Sequence, residues 1–213
     1  MTAAWRLLAG LSVVVFFRHA GAADLVFIVH TPTGSPVENA AVVLEPLVGK
    51  APTGKSSAII EQRDREFVPY VTIVQKGTAV EFPNRDKLKH HVYSFSPAKT
   101  FELKLYSGKP GTPVHFDKTG EVALGCNIHD WMEAHVLVVE TPWFAKTGND
   151  GRARITQVPA GHYRLRLWHP QQKITTPTTD IDVKLSPQQP LALTLDVAPR
   201  PPRPKPPADT GGY

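Results

Sequence analysis

The chain holds a single cysteine, Cys126, so no internal disulfide can form. A lone thiol in an oxidising compartment is a liability unless it is buried or ligated, so Cys126 calls for an explanation. Amphipathic helical repeats of useful length are missing, and 21 prolines among 213 residues argue against long helices. Beyond the N-terminus there is no second long apolar run, which excludes a later membrane-spanning helix. Charge of either sign is sparse and spread out. Lys and Arg number 24 against 19 Asp and Glu, for a net charge of +5 with no dense basic patch, so a nucleic-acid binder is not indicated. Apolar residues make up 41% of the chain, enough for a real core.

The N-terminus reads as a secretory signal, residues 1–23. Arg6 supplies the positive start, Leu7 to Phe17 form an apolar stretch too short to span a bilayer comfortably, and Ala20 and Ala22 stand in an A-x-A arrangement. Cleavage after Ala22 or Ala23 would release a chain beginning near Asp24 with no membrane span. The competing reading is an uncleaved anchor. Export to the periplasm is the expectation.

The remainder is patterned as strands. LVFIVH, AAVVLEPL, AIIEQ, YVTIV, AVEFP, HVYSFS, FELKLY, PVHF, EVALGC and HVLVVE are short runs rich in β-branched or alternating residues, set apart by Gly-, Pro- and Asn-containing turns. TGNDGRARITQVPAGHYRLRLWHP, IDVKLS and LALTLDVA continue the series. Strands at this spacing predict an all-β sandwich or barrel. The tail 199–213, PRPPRPKPPADTGGY, is Pro-rich and basic and is expected to be disordered or polyproline-like.

The segment GCNIHDWM places a thiol (Cys126), an imidazole (His129) and a thioether (Met132) within one short loop. Soft sulfur with imidazole is a donor set that copper prefers, as a trigonal plane of one thiolate and two imidazoles with a weak axial thioether. One loop cannot surround an ion, so the second imidazole must come from elsewhere, and KHHVYSFS offers His90 and His91. Alternation along a strand puts Tyr93 and Phe95 on the face of His91, and Val92 with His90. Four protein donors leave no open position, which separates such a centre from a catalytic one. His30, His115, His135, His162 and His169 form no His-x-His pair, so a second copper centre is unsupported and an oxidase or nitrite reductase is not expected. Trp131, between two candidate ligands, reads either as part of an exposed docking edge at His129 or as packing over the loop.

Over about residues 58–140, EFVPYVTIVQKGTAVEFPNRD and FDKTGEVALGCNIHDWM resemble the cupredoxins, specifically the plastocyanin-like and amicyanin-like blue copper proteins; the two-residue gaps in Cys126-x-x-His129-x-x-Met132 are amicyanin-like. The resemblance implies a Greek-key β-sandwich, one type 1 copper per chain held by His90, Cys126, His129 and Met132, and one-electron transfer rather than enzymatic turnover. It carries the first ligand over to His90. His91 stands where the family often has Asn, a position whose backbone N–H commonly supports the thiolate, and His91 remains the alternative ligand. The implied partner is a redox protein such as a c-type cytochrome or a periplasmic dehydrogenase. Two other readings of the same residues are a periplasmic copper carrier or store, and a binding module with a vestigial metal site.

The flanks, TPTGSPVENAAVVLEP and TGNDGRARITQVPAGHYRLRLWHP, look like two halves of a carboxypeptidase regulatory-like, or transthyretin-like, β-sandwich. In combination with a cupredoxin this resembles secreted bacterial proteins of the methylamine-utilisation type. The expected organisation is therefore a sandwich split between 24–56 and 144–198, with the copper domain, 57–143, inserted in a surface loop. Insertion at a loop tip adds little closure cost when the inserted ends lie close together. The bland alternative adds residues 24–48 to the copper domain as extra strands.

Overall fold

A computed structural model of the chain describes residues 21–200, apart from Lys55 and Pro187. Residues 1–20 of the expected signal segment (1–23) and 201–213 of the expected Pro-rich tail (199–213) lie outside the described residues. Everything described is strand, turn or irregular chain, and no helix among the described residues is long and apolar enough to cross a membrane.

The strands group by their pairing. β1 (Ala22–His30) runs antiparallel to β14 (Arg152–Pro159) and parallel to β17 (Leu191–Thr194), giving the sheet order β14-β1-β17. β2 (Ala41–Pro46) pairs on one side with β13 (Phe144–Lys146) and on the other with β15 (Gly161–Trp168), which pairs in turn with β16 (Thr179–Val183). Strands from before residue 47 and after residue 143 thus share two sheets. Between these sheets lies one core, with Leu25, Phe27 and Val29 from β1, Val42 and Leu44 from β2, Ile155 and Val158 from β14, and Tyr163, Leu165 and Leu167 from β15.

The intervening chain builds two further sheets. One has the order β6-β12-β11-β8-β9, from β6 (Val71–Gln75), β12 (Glu133–Val139), β11 (Gly120–Gly125), β8 (His90–Ser96) and β9 (Lys99–Tyr106). The other has the order β10-β7-β3, from β10 (Val114–Phe116), β7 (Thr78–Glu81) and β3 (Ser57–Ile59). Their shared core includes Phe82, Val92, Phe116, Val122, Val136 and Val138, and it also contains Cys126 and Met132. A small hairpin, β4 (Glu61–Arg63) with β5 (Glu66–Val68), stands at one end. The run AIIEQ, which reads as one strand, is broken at Ile60: its first half joins β7 and its second half folds back on β5. The segment TPWFAKTG, which shows no strand pattern in the sequence, contains β13, because Phe144 and Ala145 add to the free edge of β2.

The two sandwiches share a face. Ala41 and Val43 point away from Val42 and Leu44, and with Trp168 they pack against Tyr70, Val71, Leu137 and Val139 beside the β6-β12 edge of the five-stranded sheet. That is why β2 and β12 read as near-continuous apolar runs, since each is covered on both faces. Val42, Val43 and Leu44 have no exposed surface, and complete burial of such a side chain stabilises the fold by about 1.5–3 kcal/mol. Across the joint the Lys146 ammonium donates to the Val71 carbonyl at 2.9 Å, and Gln171 donates to the Tyr70 hydroxyl.

Candidate metal centre

The candidate donors come from two places on the larger sheet, the start of β8 and the loop between β11 and β12. His90 opens β8, Cys126 follows the last residue of β11, His129 sits in the loop after it, and Met132 ends that loop just before β12. The loop is a tight turn in which the Met132 N–H donates to the His129 carbonyl at 3.0 Å. It can approach β8 closely because Gly125 has no side chain: a Cβ there would lie 2.7 Å from the Tyr93 ring.

The ligand atoms of His90, Cys126 and His129 lie within 4.8 Å of one another. The Cys126 sulfur is 3.9 Å from His129 Nδ1, and the His90 and His129 rings have centroids 4.9 Å apart. Met132 is buried in the same core as Cys126. His90 is wholly buried, and its Nδ1 has no hydrogen-bond partner. A buried imidazole nitrogen left unpaired beside a thiol is costly unless something binds it. Two imidazoles, a thiol and a nearby thioether form a donor set suited to copper.

The electrostatics favour a thiolate. Burial alone would raise the Cys126 pKa, but the neighbouring His90 imidazole and the backbone N–H groups of His91, Ile128 and His129 bring it below its ordinary value. Burial likewise works against a charge on His90. Its contacts with the Cys126 thiol and the Asp86 carboxylate prevail and raise its pKa. His129 is pulled down, first by burial and then by the charge of His90. Among the described residues no other group of three or more His, Cys, Asp or Glu side chains clusters this way.

His91 is placed differently. It too is buried, with an unpartnered Nδ1, but it lies outside the cluster and its Nε2–H donates to the Glu102 carboxylate at 2.8 Å. Its ring leads into a ladder with Tyr93 and Phe95, with centroids 5.6 Å and then 5.2 Å apart. What His91 gives the site is its backbone N–H, directed to the Cys126 sulfur. Trp131 is half-buried, stacks near His129 at 5.1 Å, and donates its Nε1–H to the Arg65 carbonyl at 3.2 Å. A cavity of about 540 Å³, lined by Lys87, Leu88, Lys89, Leu105, Ile128 and His129, opens beside the His129 ring.

The residue that no sequence motif announces is Asp86. Its carboxylate accepts the His90 Nε2–H at 2.7 Å. The four-residue spacing of Asp86 and His90 is a signal only once the intervening chain is known to fold back. Asn84 does that folding, its side-chain amide donating to the Leu88 carbonyl at 2.8 Å and the Tyr106 carbonyl at 2.9 Å.

No family model matches the chain, and no curated protein matches it. Solved structures do. A copper-containing nitrite reductase from Thermus scotoductus SA-01 aligns at 22% identity and a TM-score of 0.38, over 45% of this chain and 25% of that one. The match thus spans only a quarter of the reductase. A purple cupredoxin from Nitrosopumilus maritimus aligns at 20% identity and a TM-score of 0.35, over 38% of this chain and 99% of that one. The P52G mutant of amicyanin, in its reduced Cu(I) form, aligns at 14% identity and a TM-score of 0.36, over 46% of this chain and 98% of that one.

Proposed function

We propose that the chain is a mononuclear type 1 copper protein of the periplasm that carries single electrons, with the metal held by His90, Cys126, His129 and Met132. The observation that carries the reading is the convergence of the His90, Cys126 and His129 donor atoms within 4.8 Å, with His90 Nδ1 buried and unpaired. Bound there, copper would supply a one-electron Cu(II)/Cu(I) couple. The chain's own work is to hold the donors still. Cys126 and Met132 sit in a packed core, and His90 begins a paired strand, so the ligand positions should change little between oxidation states. Four protein donors leave no place for a substrate, which favours electron carriage over catalysis.

His129 is the ligand nearest solvent, and it borders a cavity whose rim carries Lys87 and Lys89. Electrons would enter and leave at that edge, with a c-type cytochrome or a periplasmic dehydrogenase as partner. The copper unit, residues 57–143, is a cupredoxin inserted in a regulatory-like sandwich made of 24–56 and 144–198, which serves as its support. Anaerobic titration with Cu(II) tests the reading: one equivalent should bind, with intense thiolate-to-copper absorption and reversible reduction. A chain that stores or delivers copper would instead hold Cu(I) and form no stable blue species.

A further inference from the structure

The β4–β5 hairpin turns through Asp64 and Arg65, both with positive φ, at 56° and 59°. For non-glycine residues such backbone is unfavourable and persists where the surroundings require it. Here the turn aims two successive backbone N–H groups at one carboxylate. Asp64 N–H donates to Asp86 Oδ1 at 2.7 Å, and Arg65 N–H donates to Asp86 Oδ2 at 2.9 Å. The same Oδ2 accepts the His90 Nε2–H at 2.7 Å. The Asp86 backbone is fixed as well, its N–H donating to the Asn84 side chain at 2.9 Å. The Arg65 carbonyl meanwhile receives Trp131 from the loop that carries His129 and Met132. One hairpin tip therefore touches both ligand-bearing segments.

An imidazole has two ring nitrogens, and whichever partner takes the proton-bearing one decides which nitrogen faces the metal. We infer that Asp86 is a positioning residue of the metal centre: seated on the Asp64–Arg65 turn, its carboxylate fixes His90 with Nδ1 toward Cys126 and biases the centre toward its oxidised state. The inference rests on the copper reading. A negative charge one imidazole away from the ion stabilises Cu(II), with its extra positive charge, more than Cu(I).

The test compares the copper-loaded full chain with Asp86→Asn and Asp86→Glu by direct electrochemistry and competitive copper titration. Asp86→Asn keeps an acceptor for His90 but removes the charge. It should remain blue while its Cu(II) affinity falls about tenfold or more relative to its Cu(I) affinity, which for one electron raises the potential by about 59 mV. Asp86→Glu, which keeps the charge, should shift the potential by less. A purely structural role would lower thermal stability in both variants and leave the potential of Asp86→Asn at the wild-type value, which overturns the inference and leaves the copper reading standing. A wild-type chain that binds no copper overturns both. Should Asp86→Asn fail to fold, the contrast is read by NMR on the wild-type Cu(I) protein. There the His90 Nε2 proton should be protected from solvent exchange, and a freely exchanging proton would contradict the role.

Discussion

The Ala40 N–H donates to the Thr147 hydroxyl at 2.8 Å across 107 residues of chain. The same hydroxyl donates to the Val37 carbonyl at 2.7 Å, and the Thr147 N–H reaches the Ala40 carbonyl at 2.9 Å. These bonds continue the pairing of β2 with β13 past Ala41 and Lys146, within the flanking sandwich. Thr147→Val keeps the shape and strands a buried N–H, which costs about 1–3 kcal/mol. We expect urea unfolding to show that loss, with the copper absorption of the folded protein unchanged. A loss of copper uptake at full stability would show that the joint, not just the flanking sandwich, depends on Thr147.

The ligand set makes a sharper prediction. His90→Ala should open the site and destroy the blue centre. His91→Ala should leave it blue, because its backbone N–H survives the substitution and its ring is committed to Glu102. Met132→Leu should retain copper with a shifted potential, since the axial bond is weak. Absorption and EPR spectra of the three variants decide it, and the reverse pattern for His90 and His91 would exchange their roles.

Much of the site is legible in the amino-acid sequence. Cys126 and His129 are placed together by their spacing in one loop, and the structure brings them to His90; alternation sets His91 with Tyr93 and Phe95, while a register shift between His90 and Val92 leaves the position of His90 to the tertiary fold. The His91–Tyr93–Phe95 ladder follows that alternation. The strand runs around Val42 and Val136 are visible as apolar, but their two-faced burial is not, since it depends on how two separate sandwiches stack. Asp86 is hidden for a related reason. Its role depends on a turn at Asp64 and Arg65, whose left-handed backbone no Gly or Asn announces. The break at Ile60 and the added strand at Phe144 likewise reflect tertiary pairing overriding local pattern.

Trp131 tests the route of electrons. It lies half-buried beside His129, at the rim of the ligand loop. Trp131→Asp should retain copper and slow electron exchange with a c-type cytochrome several-fold in stopped-flow mixing. An unchanged rate would place the contact face elsewhere.

Acid should weaken the joint between the sandwiches. His169 is buried, its Nδ1 accepts the Gln171 N–H at 3.1 Å, and burial first, with His135 nearby, lowers its pKa from 6.5 to about 4. Between those values the unfolded chain binds the proton and the folded chain does not. Stability is therefore full above pH 6.5, falls as the pH drops toward 4, and loses on the order of 3 kcal/mol in total from this group. Urea midpoints of the copper-free protein across that window should show the slope, and His169→Gln should flatten it. Equal slopes for the two proteins would remove His169 as the cause.

The most direct measurement is a Cu(II) titration of the purified chain beside Cys126→Ser, followed by absorption and EPR spectroscopy. The wild-type protein should bind one equivalent, turn intensely blue and bleach reversibly on reduction, while Cys126→Ser, with no thiolate to donate charge, stays colourless. A wild-type chain that takes up no stoichiometric copper, or a Cys126→Ser variant with the same blue absorption, would contradict the account.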